Sequence, residues 1–101
     1  MATTLKSLFR GAATTNTSTT LYTVPASTTT VVTHIVVSNT SASDVTFDLA
    51  LAGSSIHTDA PISANSTAYI DLKQVLAETE TITGGASSTD VIIHISGAEV
   101  V

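Results

Sequence analysis

Cysteine and tryptophan are absent from the 101 residues, and the chain has only one methionine and three basic residues. Without cysteine the chain can form neither disulfide bonds nor a thiolate metal site. Nucleic-acid binding needs clustered lysine and arginine side chains against the phosphates. Three basic residues against eight acidic ones do not supply such a cluster, so we expect no nucleic-acid partner.

Long apolar segments are also missing. A membrane-spanning helix needs about 20 consecutive apolar residues, whereas the apolar segment "VVTHIVV" at 31–37 is interrupted by Thr33 and His34. The first 13 residues, "MATTLKSLFRGAA", lack the apolar core of about 7–15 residues that is typical of a signal peptide. We therefore expect no membrane partner.

The residues that are abundant indicate one folded domain. Apolar residues make up 43% of the chain and charged residues only 11%, whereas disordered chains combine low hydrophobicity with high charge. A length of 101 residues is close to the commonest size of a single domain. One modest hydrophobic core is therefore feasible.

Alternating segments predict an all-β fold. "VTFDLAL" at 45–51 and "TAYIDL" at 67–72 alternate apolar and polar residues with a period of two, as half-buried strands do. The β-branched segment 29–38 is expected to pair with 45–51 as an antiparallel hairpin. Seven to eight such short strands predict an antiparallel β-sandwich that resembles a jelly roll. "KQVLAE" is the only stretch of good helix formers, so we expect one short helical turn at 73–76.

The chain divides into an N-terminal arm with a polar connector, residues 1–20, and a β-sandwich domain, residues 21–101. The apolar side chains of the arm could line one face of a helical turn or belong to a short strand. With two of the three basic residues, the arm is expected to extend and to contact a partner protein. The arm residues predicted to bind this partner are Leu5, Lys6, Leu8, Phe9 and Arg10.

The segment "TVVTHIVVSN" at 30–39 is apolar on both faces, so both faces must be covered. Strict alternation directs Val31, Ile35 and Val37 to the core. The other face then needs a second cover, which we expect another protomer or the arm to provide. The residues predicted to form this oligomer interface are Val32, His34, Val36 and, from the last strand, His94.

Candidate catalytic and metal-binding groups are dispersed. His34, His57 and His94 lack the close local spacing of zinc ligands. The aspartates fall in turns and on outward faces, and no nucleophile elbow, phosphate-binding loop or dinucleotide fingerprint occurs. We predict no catalytic residue, no cofactor and no metal. Two carboxylates or several histidines converging in one pocket would instead indicate an enzyme.

Three segments carry a resemblance to a known class of proteins. "LYTVPASTTTVVTHIVVSNTSASDVTFDLAL" at 21–51 resembles the N-terminal half of small structural proteins of tailed bacteriophages. "IDLKQVLAETETITGGAS" and "VIIHISGAEV" resemble their later segments, although Glu80 stands where aspartate or asparagine is expected. The resemblance covers residues 21–100.

The resemblance implies a non-enzymatic component of the virion, made in the host cytoplasm. The leading expectation is a capsid decoration (cement) protein that binds the major capsid protein as a homotrimer and stabilises the outer surface of the head. A tail or baseplate component of the same fold is the first alternative. A host-glycan-binding module is the second, and it would need exposed aromatic side chains, for which Tyr22 and Tyr69 are the candidates.

Overall fold

The computed structural model describes residues 2–101. This part of the chain contains eight β-strands and no helix. It therefore offers no helical segment that could cross a membrane. The strands are β1 (Thr3–Ala12), β2 (Thr20–Thr23), β3 (Thr29–Asn39), β4 (Val45–Leu51), β5 (Ser54–Ile62), β6 (Thr67–Leu76), β7 (Thr81–Ala86) and β8 (Val91–Val100).

The strands form two antiparallel four-stranded sheets. The first sheet has the order β1-β8-β3-β6 and the second has the order β2-β7-β4-β5. Only β4 and β5 are neighbours both in sequence and in a sheet, and the chain otherwise passes to non-adjacent strands. This is the eight-stranded jelly-roll arrangement. The predicted all-β antiparallel sandwich is therefore confirmed.

The core lies between the two sheets and is built from the inward side chains of each strand. Alternation along β4 and β8 places apolar residues on the inner face at a period of two, which is why these strands bury one side only. The largest fully buried side chains of the core are Ile35, Ile93 and Ile95 from the first sheet and Leu49 and Ile82 from the second.

Two expected local structures are not formed. Residues 73–76 belong to β6 rather than to a helical turn, because Gln74, Val75 and Leu76 pair with β3. Tertiary strand pairing thus overrides the helical propensity of this segment. The expected hairpin of β3 with β4 is also wrong, since the two strands lie in different sheets. The intervening turn crosses the sandwich and is stabilised by the buried Asn39, whose amide donates to the Ser43 carbonyl at 2.8 Å.

The N-terminal residues are part of the sandwich. Residues 3–12, expected as an extended arm outside the domain, form edge strand β1 and pair with β8 from Thr3–Val100 to Ala12–Ile92. Leu8 anchors the strand because its side chain is buried in the core. The backbones of Ala2 and Val101 also hydrogen-bond to each other, so both ends of the described chain meet at one end of the first sheet.

The β5 strand is longer than expected. Pro61 in the sequence favours a loop after Ile56, but pairing with β4 continues to Val45–Ile62. Pro61 is tolerated because β5 is an edge strand, and its missing N–H can lie on the unpaired side. Asp59, with φ 46°, interrupts the regular pairing within the strand.

Candidate functional site

The solvent side of the first sheet brings together most of the predicted binding residues. Directly paired residues in antiparallel strands lie on the same face, so the register defines rows that run across all four strands. We call this surface the outer face. Its four rows, each read from β1 through β8 and β3 to β6, are Leu5–Ala98–Val31–Val75, Ser7–Ser96–His34–Asp71, Arg10–His94–Val36–Tyr69 and Ala12–Ile92–Ser38–Thr67.

The first row is apolar from one edge of the sheet to the other. Leu5 on β1 is 85% exposed and Val75 on β6 is 66% exposed, while Ala98 and Val31 between them are half-buried. Exposed aliphatic side chains are ordinary when scattered singly, but contiguous ones mark interaction surfaces. This row therefore provides a continuous apolar strip for a partner.

A polar and aromatic cluster adjoins the strip. His34 Nδ1 lies 2.8 Å from Asp71 Oδ1, and the His34 ring lies 6.3 Å from the ring of Tyr69. Tyr69 is 72% exposed, and Arg10 and His94 are exposed in the same row. These side chains offer hydrogen-bond donors, one carboxylate and an aromatic surface to a partner.

Val32 is not on this face, contrary to the sequence prediction. Its side chain is fully buried, and Val31 takes the outward position. The reason is a β-bulge: Val32 pairs with Gly97 and His34 pairs with Ser96, so Thr33 is an extra residue opposite two consecutive residues of β8. The extra residue reverses the alternation. A strict period of two therefore predicts the wrong face for Val31 and Val32, which precede the bulge. It predicts the right face for His34 and Val36, which follow it.

The bulge extends across the sheet. β1 contains an extra residue, Leu8, at the same level, where Ser7 and Phe9 pair with the consecutive residues Ser96 and Ile95. Gly97 of β8 lies between the bulges of β1 and β3. A Cβ on Gly97 would approach the Val31 carbonyl oxygen to 2.2 Å and Leu8 Cδ1 to 3.0 Å. A side chain at position 97 would not fit between these bulges.

The five predicted arm residues are distributed over both sides of β1. Leu5 and Arg10 lie on the outer face, where they join His34, Val36 and His94. Leu8 is buried in the core and Phe9 packs against it, so neither side chain is free to bind a shell protein. The remaining one, Lys6, is half-exposed.

Lys6 belongs to a polar cluster that the sequence reading did not identify. Its Nζ lies 3.3 Å from Glu99 Oε1, and the Tyr22 hydroxyl donates to the other carboxylate oxygen of Glu99. Tyr22 is also 2.9 Å from the Thr30 hydroxyl. Tyr22 is thus half-buried, with its hydroxyl held by Glu99 and Thr30, and is not an exposed aromatic platform.

The cluster shifts the pKa of both titratable partners. The hydrogen bond from Tyr22 is the largest cause that lowers the pKa of Glu99, and Lys6 adds to it against the effect of burial. Burial is the largest cause that raises the pKa of Tyr22, and the Glu99 carboxylate raises it further. The proton therefore stays on Tyr22, and Glu99 stays ionised.

The remaining histidine lies elsewhere. His57 is in β5 of the second sheet, with its ring 5.2 Å from that of Phe47. Within residues 2–101, no three histidine or acidic side chains come together as a metal site would require, and no pocket is present.

Val75 is not among the residues predicted to bind a partner, because its segment favours a helical turn. The alternation of outward residues Thr67, Tyr69 and Asp71 continues through Lys73 to Val75, and this longer period-two pattern is the signal that identifies it. Glu99 carried no comparable signal, since its partners are 77 and 93 residues away in sequence.

No protein-family model matches the chain, and no curated protein matches it significantly.

Proposed function

We propose that this chain is a non-enzymatic structural protein of a bacteriophage particle. In this proposal it binds the outer surface of the head, with the major capsid protein as its partner, and stabilises the shell. It is made in the host cytoplasm and resides on the capsid surface. The sequence resemblance over residues 21–100 supports this assignment, and the jelly roll is a fold that viral capsid proteins use, which is support by analogy only.

The observation that carries the proposal is the exposed apolar row of the outer face. Leu5 and Val75 lie at opposite edges of the sheet, and Val31 and Ala98 connect them. Water contact with such a strip is unfavourable, by about 25 cal/mol for each Å² of apolar surface. A protein partner that covers the strip recovers this free energy. The proposed role is therefore adhesive and needs no chemical step.

Homo-oligomerisation is part of the same proposal. The resemblance implies a trimer, and trimers suit the local three-fold positions of a shell. His34, Val36 and His94 remain the proposed self-contact residues, because they share the outer face. Val32 leaves this set, since it is buried in the core, and Val31 replaces it.

Immunogold labelling tests the location. Purified particles from the source are labelled with an antibody against this chain, and gold is counted on heads and tails by electron microscopy. Dense label over the whole head supports a decoration protein. Label confined to the tail or its tip moves the assignment to a tail or baseplate component. No label on any particle contradicts both.

Tyr69 favours a second candidate, a host-glycan-binding module. Its ring is 72% exposed and lies beside the His34–Asp71 pair, so a sugar could stack on the ring and hydrogen-bond to the pair. Lectins also use jelly rolls. A glycan array supports this candidate if binding is found and is lost in Tyr69→Ala. An array without hits for the native chain contradicts it.

A further inference from the structure

We propose that a second copy of this chain covers the outer face, through a two-fold axis that runs parallel to the strands. The inference rests on the proposed function in one respect, namely that the outer face binds protein. It puts a two-fold dimer in place of the trimer that the resemblance implies. The N-terminal segment cannot be the cover, because β1 is an edge strand of the same sheet. The argument uses the order of the rows, the distribution of charge and the area of the face.

The order of the rows makes the face complementary to itself. A two-fold axis parallel to the strands places β1 of one copy over β6 of the other, and β8 over β3, while each row faces itself in reverse. Leu5 then opposes Val75 of the second copy, and Ala98 opposes Val31. Apolar residues meet apolar residues along the whole first row.

The third row is complementary in a different way. The same operation places Arg10 over Tyr69 of the second copy. Arg10 then also lies beside Asp71 of the second copy, which is next to Tyr69 on β6 in the adjacent row. Arginine packs well on an aromatic face and pairs with carboxylates. His94 comes to oppose Val36. Every contact is made twice, once on each side of the axis.

Charge favours this face over the rest of the surface. The chain has a formal net charge of -5, with eight acidic residues. Of these only Asp71 is on the outer face, where Arg10 and, by the alternation of β6, Lys73 are the cations. Two cations against one carboxylate give this face a charge of +1. Two acidic molecules therefore meet through the surface on which their mutual repulsion is weakest.

The area is sufficient for a specific but modest contact. Four strands spaced about 4.8 Å apart, with about 3.3 Å per residue over ten residues, give a face of roughly 600 Å². A pair of faces buries roughly 1,200 Å², at the lower end of specific interfaces. Sheets that pack face to face with nearly aligned strands are common. We therefore expect a dimer that dissociates on dilution.

Sedimentation equilibrium of the purified full-length chain tests the proposal, at concentrations from about 1 μM to 1 mM. The main variant is Val75→Asp, which puts a carboxylate into the apolar row. Its matched control is Ile56→Asp, because Ile56 is an exposed aliphatic residue on the edge strand of the other sheet. Circular dichroism checks that both variants are folded.

We expect the native chain and Ile56→Asp to reach twice the monomer mass of 10.3 kDa and Val75→Asp to stay monomeric. A charge exchange tests the register: Arg10→Asp should weaken the dimer at least tenfold, and adding Asp71→Arg should restore most of it. A native chain that stays monomeric, a trimer, or a dimer that Val75→Asp leaves intact overturns the proposal. The sedimentation results do not affect the immunogold labelling. The proposed dimer can therefore be wrong while the proposed location on the phage particle is right, and the reverse.

Discussion

The Tyr22 hydroxyl donates a hydrogen bond to the Glu99 carboxylate and so joins β2 of the second sheet to β8 of the first. The Thr30 hydroxyl and the Lys6 ammonium complete the cluster on either side. These four residues link three strands of the first sheet to the shortest strand of the second. The cluster therefore fixes one end of the sandwich.

Tyr22→Phe should lower the free energy of unfolding by about 1.5–3 kcal/mol, the usual range for a hydrogen bond to a charged group. The substitution removes only the hydroxyl and leaves the ring in place. Urea denaturation measures the effect. Tyr69→Phe is the matched control, because that ring is 72% exposed, and it should change stability by less than about 0.5 kcal/mol. Equal effects of the two variants would show that the Tyr22 contact contributes nothing.

The same cluster predicts a dependence on pH. The pKa of Glu99 is lower in the folded chain than its usual value of 4.5. The ionised Glu99 therefore contributes to the free energy of unfolding above pH 4.5. This contribution is lost as the pH falls through the pKa of Glu99 in the folded chain. The stability difference between the native chain and Tyr22→Phe should be constant from pH 5 to 8 and should narrow below pH 4.5. A difference that stays constant down to pH 2.5 would contradict this linkage.

The bulge in β3 makes Val32 a core residue. Val32→Ala should cost about 1.5–3 kcal/mol, because it removes two buried methyl groups and leaves a cavity. Val31→Ala makes the same chemical change at the neighbouring, half-buried position and should cost less than about 1 kcal/mol in the monomer. Denaturation at low concentration compares the two. A larger loss for Val31→Ala would mean that the alternation is not reversed by the bulge.

Gly97 occupies a position that excludes any side chain. In Gly97→Ala the new Cβ would approach the Val31 carbonyl oxygen to 2.2 Å, so the strands must separate and we expect a loss of at least about 1–3 kcal/mol. In Gly11→Ala the nearest atom is Phe9 Cζ at 3.6 Å, an ordinary contact, and stability should be unchanged or slightly higher. Thermal melts distinguish the two variants, and a Gly97→Ala chain as stable as the native one would contradict the packing described.

The sequence was sufficient to predict the all-β sandwich, because the alternation of β4 and β8 depends only on one buried face. It was also sufficient to place His34 and His94 on a common face, since both follow the regular pattern of two paired strands. What it could not show was the bulge at Thr33, which is fixed by pairing with β8 and β6. One extra residue was enough to exchange the roles of Val31 and Val32.

Two further errors have the same origin in long-range pairing. Residues 73–76 have good helix propensity, but β3 offers them hydrogen-bond partners that an isolated segment lacks. Leu8 and Phe9 resemble the apolar side of a free arm, yet β8 provides a strand edge and the core accepts Leu8. The pairing of β1 depends on residues of β8 that lie more than 80 positions away in sequence. A local sequence pattern therefore cannot predict it.

The central claim is that the outer face is covered in the native assembly, and histidine modification measures this directly. Diethyl pyrocarbonate is applied to source particles and to the dilute monomer, and each histidine is quantified by mass spectrometry. His57 on the second sheet is the internal reference. We predict that His34 and His94 lose most of their reactivity relative to His57 in the particle. Equal relative reactivity in the particle and in the free monomer would contradict the account.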